Sequence, residues 1–293
     1  MPKAYVLYNP LAGNGRKSDV ASSLGEMISD EMEFCDITDS DKYKERLAAL
    51  NEGDYVILCG GDGTLNRFVN AIDGMKIKND IMYFPVGSGN DFARDLGKSR
   101  GDKPFSIKQY IEGLPTVCVN GNSYRFINGV GYGIDGYCCE VGDKMRAESD
   151  KPINYTAIAI KGLLFYYKPK NAKVTVDGKV YTYKNVWLAP TMFGGYYGGG
   201  MIPTPGQNRT ETKDSLSTLI LHSPISLHVL MMFPSIFKGD LLKYKKNAVV
   251  HSGKEITVEF DRPAPIQIDG ETIIGVTSYT ARAYSMEEEF VNY

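Results

Sequence analysis

Along the first 120 residues, short apolar runs alternate with segments of helical spacing. Residues 4–8 form an apolar run ending in Asn9-Pro10, and the pattern predicts a helix over about residues 18–30. Residues 33–37 read as a second strand. Residues 41–50, with apolar Tyr43, Leu47 and Leu50, read as a second helix. Residues 55–59 are a buried-strand pattern stopped by Gly60-Gly61, residues 65–72 a helix, and residues 81–85 a further strand. Strands alternating with helices predict a parallel sheet covered on both faces.

The pattern then changes. Residues 118–122, 124–128, 172–176, 180–183, 186–189, 219–222, 255–260, 264–268 and 278–283 read as short strands. Asp177-Gly178 lies between two β-rich runs and predicts a tight hairpin. Two insertions read as helical, residues 154–167 and 227–237. This half predicts an antiparallel sandwich or barrel, so the chain divides into residues 1–120, an α/β domain, and 121–293, a β-rich domain, with a cleft expected between them.

Composition narrows the partners. Of 293 residues, 33 are Lys or Arg and 35 are Asp or Glu, a net charge of −2, which excludes a polybasic nucleic-acid binder. Hydrophobic residues make up 43%, ample for a core. No run of ~18 apolar residues occurs, and the first residues carry no secretory-type apolar stretch. The five cysteines, two of them adjacent at Cys138 and Cys139, have no zinc-ligand spacing, and the economical expectation is a reduced, cytoplasmic protein. His222, His228 and His251 form no metal motif.

Three glycine-rich turns follow strands of the first half. They are Asn9-Pro10-Leu11-Ala12-Gly13-Asn14-Gly15-Arg16, Gly60-Gly61-Asp62-Gly63-Thr64-Leu65-Asn66 and Pro85-Val86-Gly87-Ser88-Gly89-Asn90-Asp91-Phe92-Ala93-Arg94. In an open α/β sheet, ligands bind beyond the carboxyl ends of the strands. Glycine lets backbone approach phosphate oxygens, and the first amides of the following helix meet negative charge. Neither a GxxxxGK[ST] loop nor a dinucleotide fingerprint is present, which disfavours a P-loop nucleotidase or a Rossmann dehydrogenase.

The second of these turns resembles a signature shared by diacylglycerol kinases, sphingosine kinases, NAD kinases and phosphofructokinases. The first and third resemble segments of the diacylglycerol and sphingosine kinase group. Ile127-Asn128-Gly129-Val130-Gly131-Tyr132-Gly133-Ile134-Asp135 resembles that group's glycine-rich segment, and Ile268-Asp269-Gly270-Glu271 its late DGE motif. The likeness covers nearly the whole chain, which is similar to a bacterial soluble lipid kinase. It implies an NAD kinase-like nucleotide domain followed by an antiparallel β-sandwich, with the last ten or so residues packed back on the first domain. ATP and Mg²⁺ are the implied cofactors.

The resemblance also implies roles. Nucleotide contacts fall on Asn9, Gly60, Gly61, Asp62, Gly63, Thr64, Leu65, Asn66 and Ser88. Thr38 matches a nucleotide-contacting threonine, although a turn or capping role explains it at least as well. Asp62 would hold Mg²⁺ directly or through water, since an aspartate held among glycines has no helix-forming or core role of its own. Residues two apart on an extended segment share a face, so Asp269 and Glu271 can enter one cleft. Glu271 is expected as the base that takes the acceptor's proton and Asp269 as its partner or metal orienter, with the reverse close behind; an Asp-Gly turn with solvated acids is the plain alternative. Asp135 could bind the substrate head group or a metal-bound water, or simply occupy a turn. A second-domain metal site would draw on Asp214, Glu211 and the Leu216 carbonyl, against the alternative of a plain loop. Departures from the family pattern are Arg67 where a Glu is usual, Phe193 where Asn-Gly often occurs, and Ser215 in place of a glycine.

The implied partner is a lipid substrate at a membrane surface. Residues 227–237, followed by Lys238, Lys243, Lys245 and Lys246, suit adsorption to anionic lipid, as do residues 158–167 near Lys161, Lys168 and Lys170. Both also suit core helices with solvated basic ends. A homodimer is the other partner to consider. The expected function is ATP-dependent phosphorylation of a lipid hydroxyl, diacylglycerol or a related glycerolipid first. The alternatives are an NAD kinase-like small-molecule kinase and a non-catalytic nucleotide- or lipid-binding regulator.

Overall fold

A computed structural model describes residues 2–10, 17–38, 40–149 and 153–285. The chain divides into two compact units, Met1–Glu112 and Gly113–Tyr293. The division falls a few residues before the sequence-based boundary because the strand that follows Gly113 pairs within the second unit.

The first unit contains β1 (Lys3–Tyr8), α1 (Lys17–Gly25), β2 (Glu31–Asp36), α2 (Ser40–Ala48), β3 (Tyr55–Gly60), α3 (Asp62–Ala71), β4 (Asp80–Pro85), α4 (Asp91–Asp95), β5 (Phe105–Ser106) and α5 (Lys108–Ile111). Its sheet has the order β2-β1-β3-β4-β5. The first four strands are parallel, and β5 runs antiparallel to β4. Val56, Ile57, Leu58 and Cys59 are all buried, as expected of a strand covered on both faces. The chain leaves β1 toward β2 on one side and returns to β3 on the other. The crevice at such a reversal of strand order is where an open α/β sheet receives ligands. Asn9 follows β1 and Gly61 follows β3 at this crevice.

The second unit contains β6 (Thr116–Val119), β7 (Asn122–Arg125), β8 (Gly129–Tyr132), α6 (Ile134–Glu148), α7 (Tyr155–Lys161), β9 (Lys170–Val176), β10 (Lys179–Leu188), β11 (Thr191–Met192), β12 (Leu216–His222), α8 (Ser226–Met232), β13 (Ala248–Gly253), β14 (Glu255–Ile268) and β15 (Glu271–Arg282). A π-helix, Gly162–Tyr166, continues α7, and a 3₁₀ segment, Phe233–Lys238, continues α8. The antiparallel sheet follows β7-β6-β15-β14-β8-β11-β12-β10-β9, and β14 also pairs with β9. That second pairing joins the path back on itself, so the strands from β14 round to β9 form a closed, barrel-like sandwich.

Three Asx-Gly pairs make the tight hairpins of this unit. Asn120-Gly121, Asp177-Gly178 and Asp269-Gly270 all have positive φ at both residues, the geometry of the two-residue turns that match strand twist. Residues 255–260 and 264–268, expected as two strands, form one strand, β14, with a register shift between Glu259 and Ala264. Pro263 and Pro265 cannot donate to a ladder, and their stretch is where the strand switches partners. Residues 180–183 and 186–189 likewise merge into β10, bent where Asn185 takes a φ of 55°. The last residues, expected to pack back on the first domain, lie from 286 onward outside the described residues.

A core forms where α6, α7 and α8 cover the sheet. Ile134, Cys138, Ile158, Leu163, Val229 and Met232 pack there with Trp187 and Leu219. No helix among the described residues is long and apolar enough to cross a membrane.

Candidate functional site

In the first unit the sequence places glycine where two turns must touch. A Cβ at Gly87 would lie 2.5 Å from the Gly61 Cα. The β3–α3 and β4–α4 turns are therefore in backbone contact that no other residue type allows. The Gly60 carbonyl accepts the amides of Val86 at 3.0 Å and Gly87 at 3.2 Å, and the buried Tyr83 hydroxyl at 3.0 Å. A Cβ at Gly60 would collide with Thr64. Leu65 and Asn66 are buried on the inner face of α3, so Leu65 offers its backbone alone. The amides of Gly63 and Thr64, in the first turn of α3, have no carbonyl acceptor within the helix.

Asp62 corrects the expectation that it has no structural role. Its carboxylate accepts the Asp91 and Phe92 amides, both at 2.9 Å, and so fixes the first turn of α4 to the β3–α3 turn. Asn90, just before α4, adopts a left-handed φ of 51° and donates its Nδ2 to the Gly87 carbonyl at 2.7 Å. Its Oδ1 is buried and accepts no hydrogen bond among the described residues. Two touching glycine turns, helix amides and an orphaned buried acceptor fit a phosphate-bearing ligand with its hydrated cation. Mg²⁺ held through a nucleotide needs only one or two carboxylates, and Asp62 and the neighbouring Asp91 are acids at these turns.

The other first-unit residues vary. Asn9 is half-buried at the end of β1, whereas residues 11–16 of the first glycine turn lie outside the described residues. Ser88 is exposed in the β4–α4 turn. Thr38 is exposed, and both its amide and its hydroxyl donate to Asp36 Oδ1 at 2.8 Å. That is a local Asx turn, the structural alternative weighed for it.

In the second unit Asp269 departs from the expected geometry. It sits not on an extended segment but in the β14–β15 turn, with a φ of 46°. The shared-face argument for Asp269 and Glu271 therefore does not apply. Nor is Asp269 solvated as a plain turn residue would be. Its carboxylate accepts the amides of Ile127 at 2.6 Å, Asn128 at 2.8 Å and Gly129 at 3.0 Å. The aspartate is an anchor that ties the start of β8 to the hairpin. Glu271 follows as the first residue of β15, half-buried.

Asp135 opens α6, half-buried. Gln267 donates Nε2 to Asp135 Oδ2 at 3.0 Å and accepts the Gly270 amide through Oε1 at 2.6 Å. One glutamine thus joins Asp135 to the turn that carries Glu271. Burial pushes the Asp135 carboxyl up to about 6, opposed by the Gln267 amide and the neighbouring Tyr197 hydroxyl. Asp135 Oδ2 would lie 1.5 Å from a Cβ at Gly131, so only glycine fits beneath it.

Sequence reading missed Gln267 and Arg209. The Arg209 side chain is fully buried and donates to the Ile127 carbonyl and to Asn128 Oδ1, both at 2.7 Å. Asp269 and Arg209 therefore grip residues 127 and 128, one by amides and the other by carbonyl and side chain. Neither residue sits in a pattern that spacing could reveal.

Glu211 and Asp214 stand exposed on the turn before β12, and Leu216 begins that strand with its side chain buried. The loop is closed by Gln207, whose Nε2 donates to the Phe193 carbonyl at 3.2 Å, Thr212 Oγ1 at 2.8 Å and the Ser215 carbonyl at 3.2 Å. An amide thus cross-links acceptors of the stretch for which a metal was considered. Among the described residues no three His, Cys, Asp or Glu side chains gather as metal ligands.

Comparison with known proteins agrees with this architecture. Residues 3–118 match the diacylglycerol kinase catalytic domain, and residues 128–284 match the YegS C-terminal NAD kinase beta sandwich-like domain. The chain is 31% identical over 192 residues to a diacylglycerol kinase of Bacillus subtilis, a stretch covering 62% of each protein. The crystal structure of a diacylglycerol kinase from Bacillus anthracis superposes with a TM-score of 0.64 at 20% identity, covering 98% of both chains, a likeness of fold.

Proposed function

The chain belongs to the family that joins a diacylglycerol kinase catalytic domain to a YegS-type β-sandwich, and on that premise we propose that it transfers the γ-phosphate of ATP to a lipid hydroxyl, diacylglycerol or a related glycerolipid first. The observation that supports this most is the hydrogen-bond chain Asp135–Gln267–Gly270, which joins the Asp135 carboxylate to the backbone of the turn just before Glu271. One hydroxyl acceptor needs a group to orient it and a group to take its proton, and Asp135 and Glu271 are suited to these two tasks.

In this reading the first unit holds the donor. The amides of Gly63 and Thr64 face phosphate oxygens, helped by the dipole of α3. Asp62 would hold Mg²⁺, directly or through water. Asn90 Oδ1 accepts a hydrogen bond from a cation-bound water or the nucleotide. Mg²⁺ with ATP supplies the activated phosphoryl group and offsets the charge that develops on its oxygens. Glu271 takes the acceptor's proton as its oxygen attacks. Asp269 and Arg209 act one step back, by fixing the backbone on either side of residues 127 and 128.

The test separates binding from transfer. Glu271→Gln should bind ATP as the parent does and lower transfer by roughly 10²–10⁴-fold, the usual worth of a general base. Equal transfer by parent and variant would remove Glu271 from the reaction.

A further inference from the structure

A short closed loop follows β11 in the second unit. The Tyr197 amide donates to the Met201 carbonyl at 3.1 Å, and the Met201 amide to the Tyr197 carbonyl at 2.9 Å. Between them Gly198, Gly199 and Gly200 have φ of 59°, 82° and 108°, a run of positive angles that residues with a side chain rarely adopt. The loop fixes the Tyr197 backbone, and the ring enters the core that also takes Ile134, Cys138 and Met192. Only 3% of the residue is exposed. The hydroxyl at the tip of the ring is sealed from water and makes no hydrogen bond among the described residues. Phenylalanine would fill the same space without burying an unsatisfied hydroxyl, so the oxygen calls for a use.

The group that this hydroxyl neighbours is the Asp135 carboxyl. Gln267 of β14 already donates to Asp135 Oδ2 at 3.0 Å, in the space that the missing Cβ of Gly131 leaves open. Cys138 and Cys139 of its own helix also lie near it, and burial pushes both thiols up, so they stay neutral. Gln267 is thus a donor in place, and the Tyr197 hydroxyl is a second donor not yet engaged. A charged carboxylate draws a hydroxyl far more strongly than a neutral carboxyl does. Ionisation of Asp135 is therefore the event that brings the two together.

We propose that Tyr197 is a positioning residue for the acceptor: its hydroxyl is the second donor to the Asp135 carboxylate and, with Gln267, holds that carboxylate charged and in place for the lipid hydroxyl. Tyr197 itself touches no substrate, since its hydroxyl is shut off from solvent. It acts through Asp135. The glycine loop serves this by giving the ring a fixed origin. The inference rests on the lipid-kinase reading, in which Asp135 orients the acceptor.

The test is Tyr197→Phe in the full chain, which removes one oxygen atom. While Asp135 is neutral, the variant's melting temperature should equal or exceed the parent's, because the lost hydroxyl forfeits no partner. ATP binding should be unchanged. The pH profile of transfer carries the signature. With the donor gone the charged form of Asp135 is harder to reach, so the acid limb should move up by about one pH unit and transfer on that limb should fall about tenfold. Above the limb, transfer should approach the parent's. A second readout needs no turnover. In carbon-13 NMR of aspartate-labelled protein, with Asp135→Asn to assign the signal, the Asp135 carboxyl should titrate about one pH unit higher in Tyr197→Phe. An unmoved midpoint overturns the proposal. So does a loss of transfer equal at every pH, the mark of a packing residue, or a moved midpoint with an unmoved limb in an active enzyme. A moved midpoint in a protein that phosphorylates no lipid leaves Tyr197 as the donor to Asp135, and the lipid-kinase reading falls.

Discussion

Asp62 has two duties that substitution can separate. Its carboxylate holds the Asp91 and Phe92 amides, so Asp62→Ala strands two donors at the start of α4. The expected cost is about 1–3 kcal/mol for each group left unsatisfied. Asp62→Asn keeps one acceptor oxygen and should unfold at a higher temperature than Asp62→Ala, while both lose phosphoryl transfer. Thermal melts beside transfer assays check this. Asp135 gives a pH signature. Burial raises its carboxyl to about 6, so the folded protein holds this proton more tightly than the unfolded chain. The resulting stabilisation is complete below the ordinary carboxyl range and is lost as pH rises through about 6. Asp135→Asn removes the titration. The variant should therefore gain stability relative to the parent at about pH 8 compared with about pH 4, read from melting temperatures. The sequence singled out Asp62, Asp135, Asp269 and Glu271. It could not tell that Asp269 spends its carboxylate on three backbone amides, because those amides belong to residues about 140 positions away. Gln267 and Arg209 were invisible for the same reason: what each does depends on partners far off in the chain.

Glycine explains both what the sequence showed about the elements and what it hid. Gly60, Gly61 and Gly87 announced the two turns correctly, although the reason is close backbone approach rather than unusual dihedrals. Gly87→Ala must push against the Gly61 Cα at 2.5 Å. It should cost about 1–3 kcal/mol and weaken nucleotide binding, because the turns cannot separate without moving Asn90. Calorimetric titration with nucleotide is the check; unchanged affinity in a folded variant would contradict this geometry. The same residue type hid α6. Gly136 and Gly142 lower helix propensity, and the sequence reading assigns no element to residues 136–148. In the structure a Cβ at Gly136 would lie 2.1 Å from the Pro265 carbonyl oxygen, and one at Gly142 would lie 2.7 Å from the Tyr155 ring. These glycines let α6 press on β14 and α7. The prolines of β14 misled in the opposite direction, by marking a change of partner that reads as a strand end.

At the scale of the whole molecule, alternating elements followed by short strands were enough to read an α/β unit and an antiparallel unit. The closing β14–β9 pair was not legible, since a long-range ladder leaves no local signal. Cation dependence also belongs to this scale. The second-unit loop is closed by Gln207, and Asp62 is the acid that the account assigns to the nucleotide's cation. A chelator should therefore abolish transfer while moving the melting temperature of the nucleotide-free protein by no more than ~1 °C. A large drop would reveal a cation that the fold itself needs. The central claim is transfer from ATP to a lipid hydroxyl, and incubation of the full chain with γ-labelled ATP, Mg²⁺ and mixed micelles of extracted bacterial lipid tests it most directly. The account predicts label in an organic-phase product that co-migrates with phosphorylated diacylglycerol or a related glycerolipid and is absent with Glu271→Gln. Label confined to a water-soluble product, or none in any lipid while ATP still binds, would contradict it.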